Sequence, residues 1–126
     1  MADKPVRGGR VITAGIADIR TMQPILVSET ASGSITRLIY DGLIQANPKS
    51  GQPEPNMAKF TQSSDGKTYT FEIDPRAVWS DGKPVVAEDW YVATKLVGMS
   101  KVTPRKSSFQ DIVGWKDFVD GKATEI

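Results

Sequence analysis

The tripeptide Asp-Gly-Lys occurs twice within one short segment, beginning at Asp65 and again at Asp81. Between the two copies, the apolar residues Tyr69, Phe71 and Ile73 alternate with polar ones. A period of two places these three side chains on the same face of a β-strand. Asp-Gly favours a tight turn, because glycine adopts positive φ without a steric penalty. The segment therefore predicts a strand bounded by two turns.

Neither Asp-Gly-Lys segment fits the pattern of an ion- or phosphate-binding loop. An EF-hand loop needs oxygen ligands at alternate positions, but the third positions counted from Asp65 and Asp81 are Lys67 and Lys83. A P-loop needs an earlier glycine before its Gly-Lys-Ser/Thr end, and Gly66 has none at the required spacing. Hairpin-type turns are the better interpretation of both segments.

Apolar periodicity and capping signals predict three helices around this strand. In chain order they cover residues 34–42 with Ser34 as N-cap and Gly42 as stop, residues 87–97 with Glu88 and Asp89 in the first turn, and a segment from Ser107 or Ser108 to Gly121. The adjacent Glu88 and Asp89 point about 100° apart on a helix, so they do not form a converging catalytic pair.

Further strands are predicted at residues 10–19 and at residues 59–62, the second as partner of the central strand. The proline-rich residues 45–58 are predicted to form a loop. Together these elements predict an α+β fold: a small mixed or antiparallel sheet with about three helices.

Composition excludes several classes of function. The chain has 126 residues, no Cys and no His, which removes Cys/His zinc sites, thiol nucleophiles and the histidine of a catalytic triad. A net charge of +1 gives no electrostatic case for nucleic acid. We therefore predict no enzymatic activity, no metal and no cofactor.

The order of the motifs identifies a family. A Gly-Gly leader, the segment "TMQP", a helix ending in "IYDGLI" and the stretch "SSDGKTYTFEIDPRAVWSDGKPVVAEDW" follow one another. This order closely resembles the family 5 extracellular solute-binding proteins, the peptide-type receptors of ABC importers. The resemblance runs from Gly8 to about Gly121. Two departures are Gln23, where the family has Asp before Pro, and Val86, where it has a helix-capping Thr.

The resemblance implies a bilobed periplasmic-binding-protein fold of type II, of which this chain supplies an N-terminal piece. Residues 1–44 would begin the first lobe, and residues 45–126 would form a β-rich sub-domain with two helices. The implied function is capture of oligopeptides, dipeptides or a similar small solute for an ABC permease. The implied location is periplasmic, or extracytoplasmic and membrane-anchored, although the polar start "MADKPVRGG" has no apolar signal core.

The resemblance also implies which residues contact ligand. The family's extended segment before the first helix maps to Ser28, Glu29 and Thr30, and in peptide-binding members it pairs with the peptide backbone like an added strand. A second contact follows a Thr-Pro pair and maps to Arg105, where peptide binders often have an aromatic residue. A cation there indicates an anionic ligand group, although an ordinary surface arginine is the commoner explanation.

An alternative hypothesis stays open. The chain would then be an isolated structural sub-domain that folds but binds nothing, and that self-associates through uncovered strand edges. Titration calorimetry against a peptide mixture distinguishes it from the binding module.

Overall fold

The computed structural model describes residues 8–126; the basic leader at residues 1–7 lies outside the described residues. The chain forms three α-helices and four strands. The strands pair into two separate two-stranded antiparallel sheets, β1–β2 and β3–β4, which confirms the α+β class. The elements are α1 (Thr30–Thr36), β1 (Ile44–Ala46), β2 (Pro53–Pro55), β3 (Ala58–Gln62), β4 (Tyr69–Ile73), α2 (Ala87–Met99) and α3 (Trp115–Val119). Short 3-10 turns cover Pro24–Leu26 and Lys106–Phe109.

The β3–β4 hairpin confirms the predicted strand pair and its first turn. Phe60 pairs with Phe71, and their ring centroids lie 6.4 Å apart. Gly66 has φ of 72°, and the Asp65 carboxylate accepts the backbone N–H of Lys67 at 3.1 Å. An Asx-type bond followed by a left-handed glycine is the turn chemistry that Asp-Gly encodes.

The second Asp-Gly-Lys segment is also a turn, and it leads into α2. Gly82 has φ of 86°, and the backbone N–H of Trp79 donates to the Lys83 carbonyl at 2.8 Å. The Asp89 carboxylate accepts the backbone N–H of Val86 at 3.0 Å and the indole N–H of Trp79 at 3.1 Å. Asp89 thereby supplies from inside the helix a contact that caps its start, where Val86 has no polar side chain.

The loop prediction for the proline-rich residues 45–58 is wrong where they form strands, at residues 45–46, 53–55 and 58. They form the second hairpin, in which β1 pairs with β2 and Ala46 lies opposite Pro53. Proline is tolerated in an edge strand, where its missing N–H removes no ladder bond. The carbonyl of Leu43 accepts backbone N–H groups from Asn56 and Ala58, at 3.1 and 3.0 Å, and so joins the two hairpins. The predicted domain boundary after residue 44 falls within β1.

The strand predicted at residues 10–19 is not formed. Its apolar side chains are exposed: Ile12 by 79% and Ile16 fully. A β-branched run becomes a strand only when another strand satisfies its backbone groups, and no other strand among residues 8–126 pairs with this segment.

The third predicted helix is divided by Gly114, whose φ of 84° is incompatible with helical geometry. Ser107 and Ser108 lie inside the 3-10 turn and cap no α-helix. The predicted stop at Gly121 is confirmed by its φ of 73° just beyond α3.

Helices α2 and α3 pack against each other at a glycine. A Cβ added to Gly98 would lie 2.5 Å from the ring of Phe118, so the close approach requires glycine. Val97 and Trp115 are each only 4% exposed at this contact. Trp115 also stacks on Phe109 at 5.1 Å, which ties the 3-10 turn to the helix pair. This packing fixes the position of the segment that precedes α3.

Candidate functional site

The N-cap of helix α1 lies five residues earlier than predicted, at Glu29 instead of Ser34, so the helix begins at Thr30. One Glu29 carboxylate oxygen accepts the backbone N–H of Ser32 at 2.7 Å, and the other accepts the Ser32 hydroxyl. The predicted cap, Ser34, lies inside the helix, where its hydroxyl donates to the carbonyl of Thr30 at 2.9 Å. The helix ends at Thr36, so Gly42 is not its stop.

Ser32 is completely buried and holds the preceding segment against α1. Its hydroxyl oxygen accepts the backbone N–H groups of Arg20 and Thr21, at 2.9 and 3.2 Å. The hydroxyl of Ser32, followed by its backbone N–H, lowers the pKa of the Glu29 carboxyl below its ordinary value of 4.5. Sequence reasoning missed Ser32, because a serine between two small residues carries no signal of burial.

The segment that leads into α1 is extended. Val27 has ψ of 122°, and Glu29 has φ of −126° and ψ of 160°. Within the described part of the chain, the backbone N–H and C=O of Ser28 make no hydrogen bond. Val27 is 4% exposed and anchors the segment in the interior. The residues on both sides of Ser28 are therefore extended, and the N–H and C=O of Ser28 are without protein partners, as at a strand edge.

The loop that carries Arg105 is fastened to this region by Thr103. The Thr103 hydroxyl donates to the carbonyl of Ile25 and accepts the backbone N–H of Arg105, the latter at 3.1 Å. Ser100, just after α2, accepts the backbone N–H of Thr103 at 3.1 Å. The Thr103 side chain thus fixes both the position of the Arg105 loop and the turn within it.

Between these two segments lies an open cleft of about 370 Å³. The structure brings all four sequence-predicted site residues together along its walls. They are joined there by six further residues: Val27, Gly33, Ser34, Arg37, Pro104 and Ser108.

Sequence reasoning missed Arg37, although a signal existed. Thr30, Gly33 and Arg37 follow the i, i+3, i+7 spacing of one helix face. The helix was predicted to begin at Ser34, so Thr30 and Gly33 were placed outside it. An N-cap at Glu29 would have placed Arg37 on the same face as the predicted contact Thr30.

The ionised groups of the cleft are two arginines and one carboxylate. Arg37 and Arg105 belong to no salt bridge within residues 8–126, and both are exposed. The Glu29 carboxylate already accepts hydrogen bonds at both oxygens. Among residues 8–126, no group of three or more Asp or Glu side chains is placed to hold a metal ion.

The family profile described as "Bacterial extracellular solute-binding proteins, family 5 Middle" matches residues 52–125, more than half of the chain. The chain belongs to this family. The family 5 match covers the two Asp-Gly-Lys turns, α2 and α3, and so confirms the resemblance carried by the motif order.

The similarity of the chain to individual named proteins supports the family assignment. The chain is 39% identical over 88 residues to a "Probable ABC transporter-binding protein" of Deinococcus radiodurans, covering 68% of this chain and 14% of the relative. It is 42% identical over 76 residues to "Oligopeptide-binding protein OppA" of Bacillus subtilis, covering 60% and 14%. The chain therefore spans about one seventh of the length of these relatives.

A solved structure shares the fold. The crystal structure of Haemophilus influenzae OppA in complex with RPPGFSPFR superposes with a TM-score of 0.74 at 24% identity, over 85% of this chain and 21% of that one. The match places the present fold within a periplasmic-binding-protein architecture. No helix formed by residues 8–126 has the length and apolar character of a membrane span.

Proposed function

We propose that this chain binds oligopeptides, dipeptides or a similar small solute, as part of an extracytoplasmic solute-binding protein that delivers it to an ABC permease. Ser28, Glu29, Thr30 and Arg105 would contact the ligand in the cleft. We also propose that residues 1–44 begin the first lobe and that residues 45–126 form a sub-domain. Relatives named as oligopeptide-binding proteins support the ligand class.

The observation that carries the proposal is the backbone at Ser28, which lies beside the cleft between two extended residues and has no protein hydrogen-bond partner. An incoming peptide has the same alternation of N–H and C=O groups, so it pairs with such an edge as an added strand. Val27 is buried beneath it and keeps the edge in place before ligand arrives. Pre-organisation lowers the entropic cost of binding.

Titration calorimetry with the 126-residue chain and short alanine peptides tests the proposal. The informative variant is Ser28→Pro, which deletes one backbone donor while Val27, at ψ of 122°, already has the conformation required before proline. Ser28→Ala is the matched control, because it removes the hydroxyl and keeps the backbone N–H. Circular dichroism of both variants checks that the fold is retained.

We expect saturable binding by the unmodified chain and by Ser28→Ala, and at least a fivefold weaker association for Ser28→Pro, about 1 kcal/mol for one backbone hydrogen bond. Peptides with N-methylated backbone amides should lose affinity for the same reason. Absence of saturable binding by the unmodified chain would contradict the proposal.

The second candidate is a structural sub-domain that binds no solute and self-associates. It is favoured by an apolar groove of about 560 Å³ lined by Leu43, Ile44, Phe71, Ile73 and Trp90. Trp90 is 43% exposed, so part of its ring in this groove is left for a second molecule to cover. Saturable peptide binding in the calorimetry would exclude this candidate. Analytical ultracentrifugation tests the self-association, which a concentration-dependent increase in mass would support and a monomer at all concentrations would exclude.

A further inference from the structure

We infer that the cleft prefers a ligand that carries a carboxylate, which Arg37 and Arg105 receive. This inference rests on the proposed function and deepens it by naming the charge of the ligand. The carboxylate comes either from an acidic side chain or from the C-terminus of a peptide, and the test separates these two sources.

The first argument is the charge of the cleft walls. Arg37 projects from the end of α1 and Arg105 from the loop held by Thr103, so the two cations come from opposite walls. Planar guanidinium groups bind carboxylates through paired N–H donors, and arginine stays protonated at all physiological pH values. Both arginines line one cleft, so an anionic ligand group bound there is attracted by each of them.

The second argument is that the one carboxylate of the cleft is already used. Glu29 accepts the backbone N–H and the hydroxyl of Ser32, so its oxygens face the start of α1. These bonds lower the pKa of Glu29, and the carboxylate stays ionised as an internal cap. Each of its oxygens accepts one hydrogen bond from Ser32, and neither arginine is among its partners. The one carboxylate of the cleft is thus already hydrogen-bonded, whereas Arg37 and Arg105 belong to no salt bridge within residues 8–126.

The third argument is how Arg105 is held. Its backbone N–H donates to Thr103, whereas its side chain bonds to nothing in the described part of the chain. The backbone is fixed while the guanidinium remains available. Ser108, one 3-10 turn further on, lines the same wall, and its hydroxyl has no partner within residues 8–126.

The test measures affinities of the intact chain for three peptides by titration calorimetry: Ala-Glu-Ala-amide, Ala-Gln-Ala-amide and Ala-Gln-Ala with a free C-terminus. The first and third each offer one carboxylate, and the second offers none. We expect the preferred carboxylate peptide to bind about five- to tenfold more tightly than the amide without a carboxylate, a preference that weakens with added salt. Whichever of the two binds more tightly identifies the source of the carboxylate.

The variant Arg105→Gln should abolish most of this preference, because it lowers the affinity for the carboxylate peptides more than the affinity for Ala-Gln-Ala-amide. Lys101→Gln is the matched control, because it removes the same charge from the same loop at a position outside the cleft. Equal affinity for all three peptides would overturn the inference and leave the proposed function intact. Failure of every peptide to bind would overturn both, and a preference that persists in Arg105→Gln would exclude Arg105 as its source.

Discussion

The hydroxyl of Thr103 donates a hydrogen bond to the carbonyl oxygen of Ile25, 78 residues earlier in the chain. This one bond joins the two walls of the cleft, since Ile25 precedes the extended backbone at Ser28 and Thr103 precedes Arg105. The position of each wall therefore depends on a contact with a distant part of the chain.

Thr103→Val should lower the free energy of unfolding by about 1–3 kcal/mol, because the carbonyl of Ile25 and the N–H of Arg105 both lose a partner. Thr103→Ser keeps the hydroxyl and should cost much less. Urea denaturation of the two variants measures the difference. Equal stability of the valine variant and the native chain would show that water replaces the hydroxyl at no cost.

Ser32→Ala should destabilise the chain by a similar amount, about 1–3 kcal/mol, since the backbone N–H groups of Arg20 and Thr21 would be left without an acceptor. Ser34→Ala is the control two residues away, where the lost bond only returns to the helix backbone of Thr30. Thermal unfolding should distinguish them clearly. We expect a lower midpoint of thermal unfolding for Ser32→Ala and an unchanged midpoint for Ser34→Ala.

Glu29 should make the stability depend on pH in the acid range. Because the folded-state pKa lies below the ordinary 4.5, the Glu29 carboxylate contributes fully above that ordinary value. The contribution decreases as the pH falls toward the lowered pKa. A carbon-detected NMR titration should show the pKa of Glu29 rising in Ser32→Ala and remaining low in Ser34→Ala. An unchanged pKa in the first variant would contradict the assigned cause.

Gly98→Ala should destabilise the chain, because its Cβ would lie 2.5 Å from the Phe118 ring. Overpacking of this kind costs about 1–3 kcal/mol, more than the helix propensity gained from alanine, about 1 kcal/mol. Gly33→Ala is the matched control in a helix, where the nearest atom is 3.7 Å away. We expect that variant to be neutral or slightly stabilised in urea denaturation, in contrast to the first.

The sequence predicted best where local chemistry decides the structure. The β3–β4 hairpin, both Asp-Gly-Lys turns and α2 follow from strict alternation, left-handed glycines and acidic residues at a helix start. Their stabilising contacts lie within a few residues along the chain, or directly across a hairpin. Such contacts can be read from spacing alone.

Prediction failed where a distant contact or an uncommon cap decides. Glutamate is an unusual N-cap, so capping preferences did not indicate that α1 begins just after Glu29, where the carboxylate accepts the Ser32 N–H. Gly114 fits a helix pattern by sequence, yet its positive φ divides the third helix. In the cleft, the resemblance supplied Ser28, Glu29, Thr30 and Arg105. Arg37 required the correct helix boundary, and the closure by Thr103 required the tertiary fold.

The bond between Thr103 and Ile25 also has a kinetic consequence. Closing a chain segment of this length costs about 4 kcal/mol of conformational entropy, so we expect the cleft to be completed late in folding. A molecule bound across both walls would then stabilise the native state more than the folding transition state. Such a ligand should leave the folding rate unchanged and lengthen the lifetime of the folded chain.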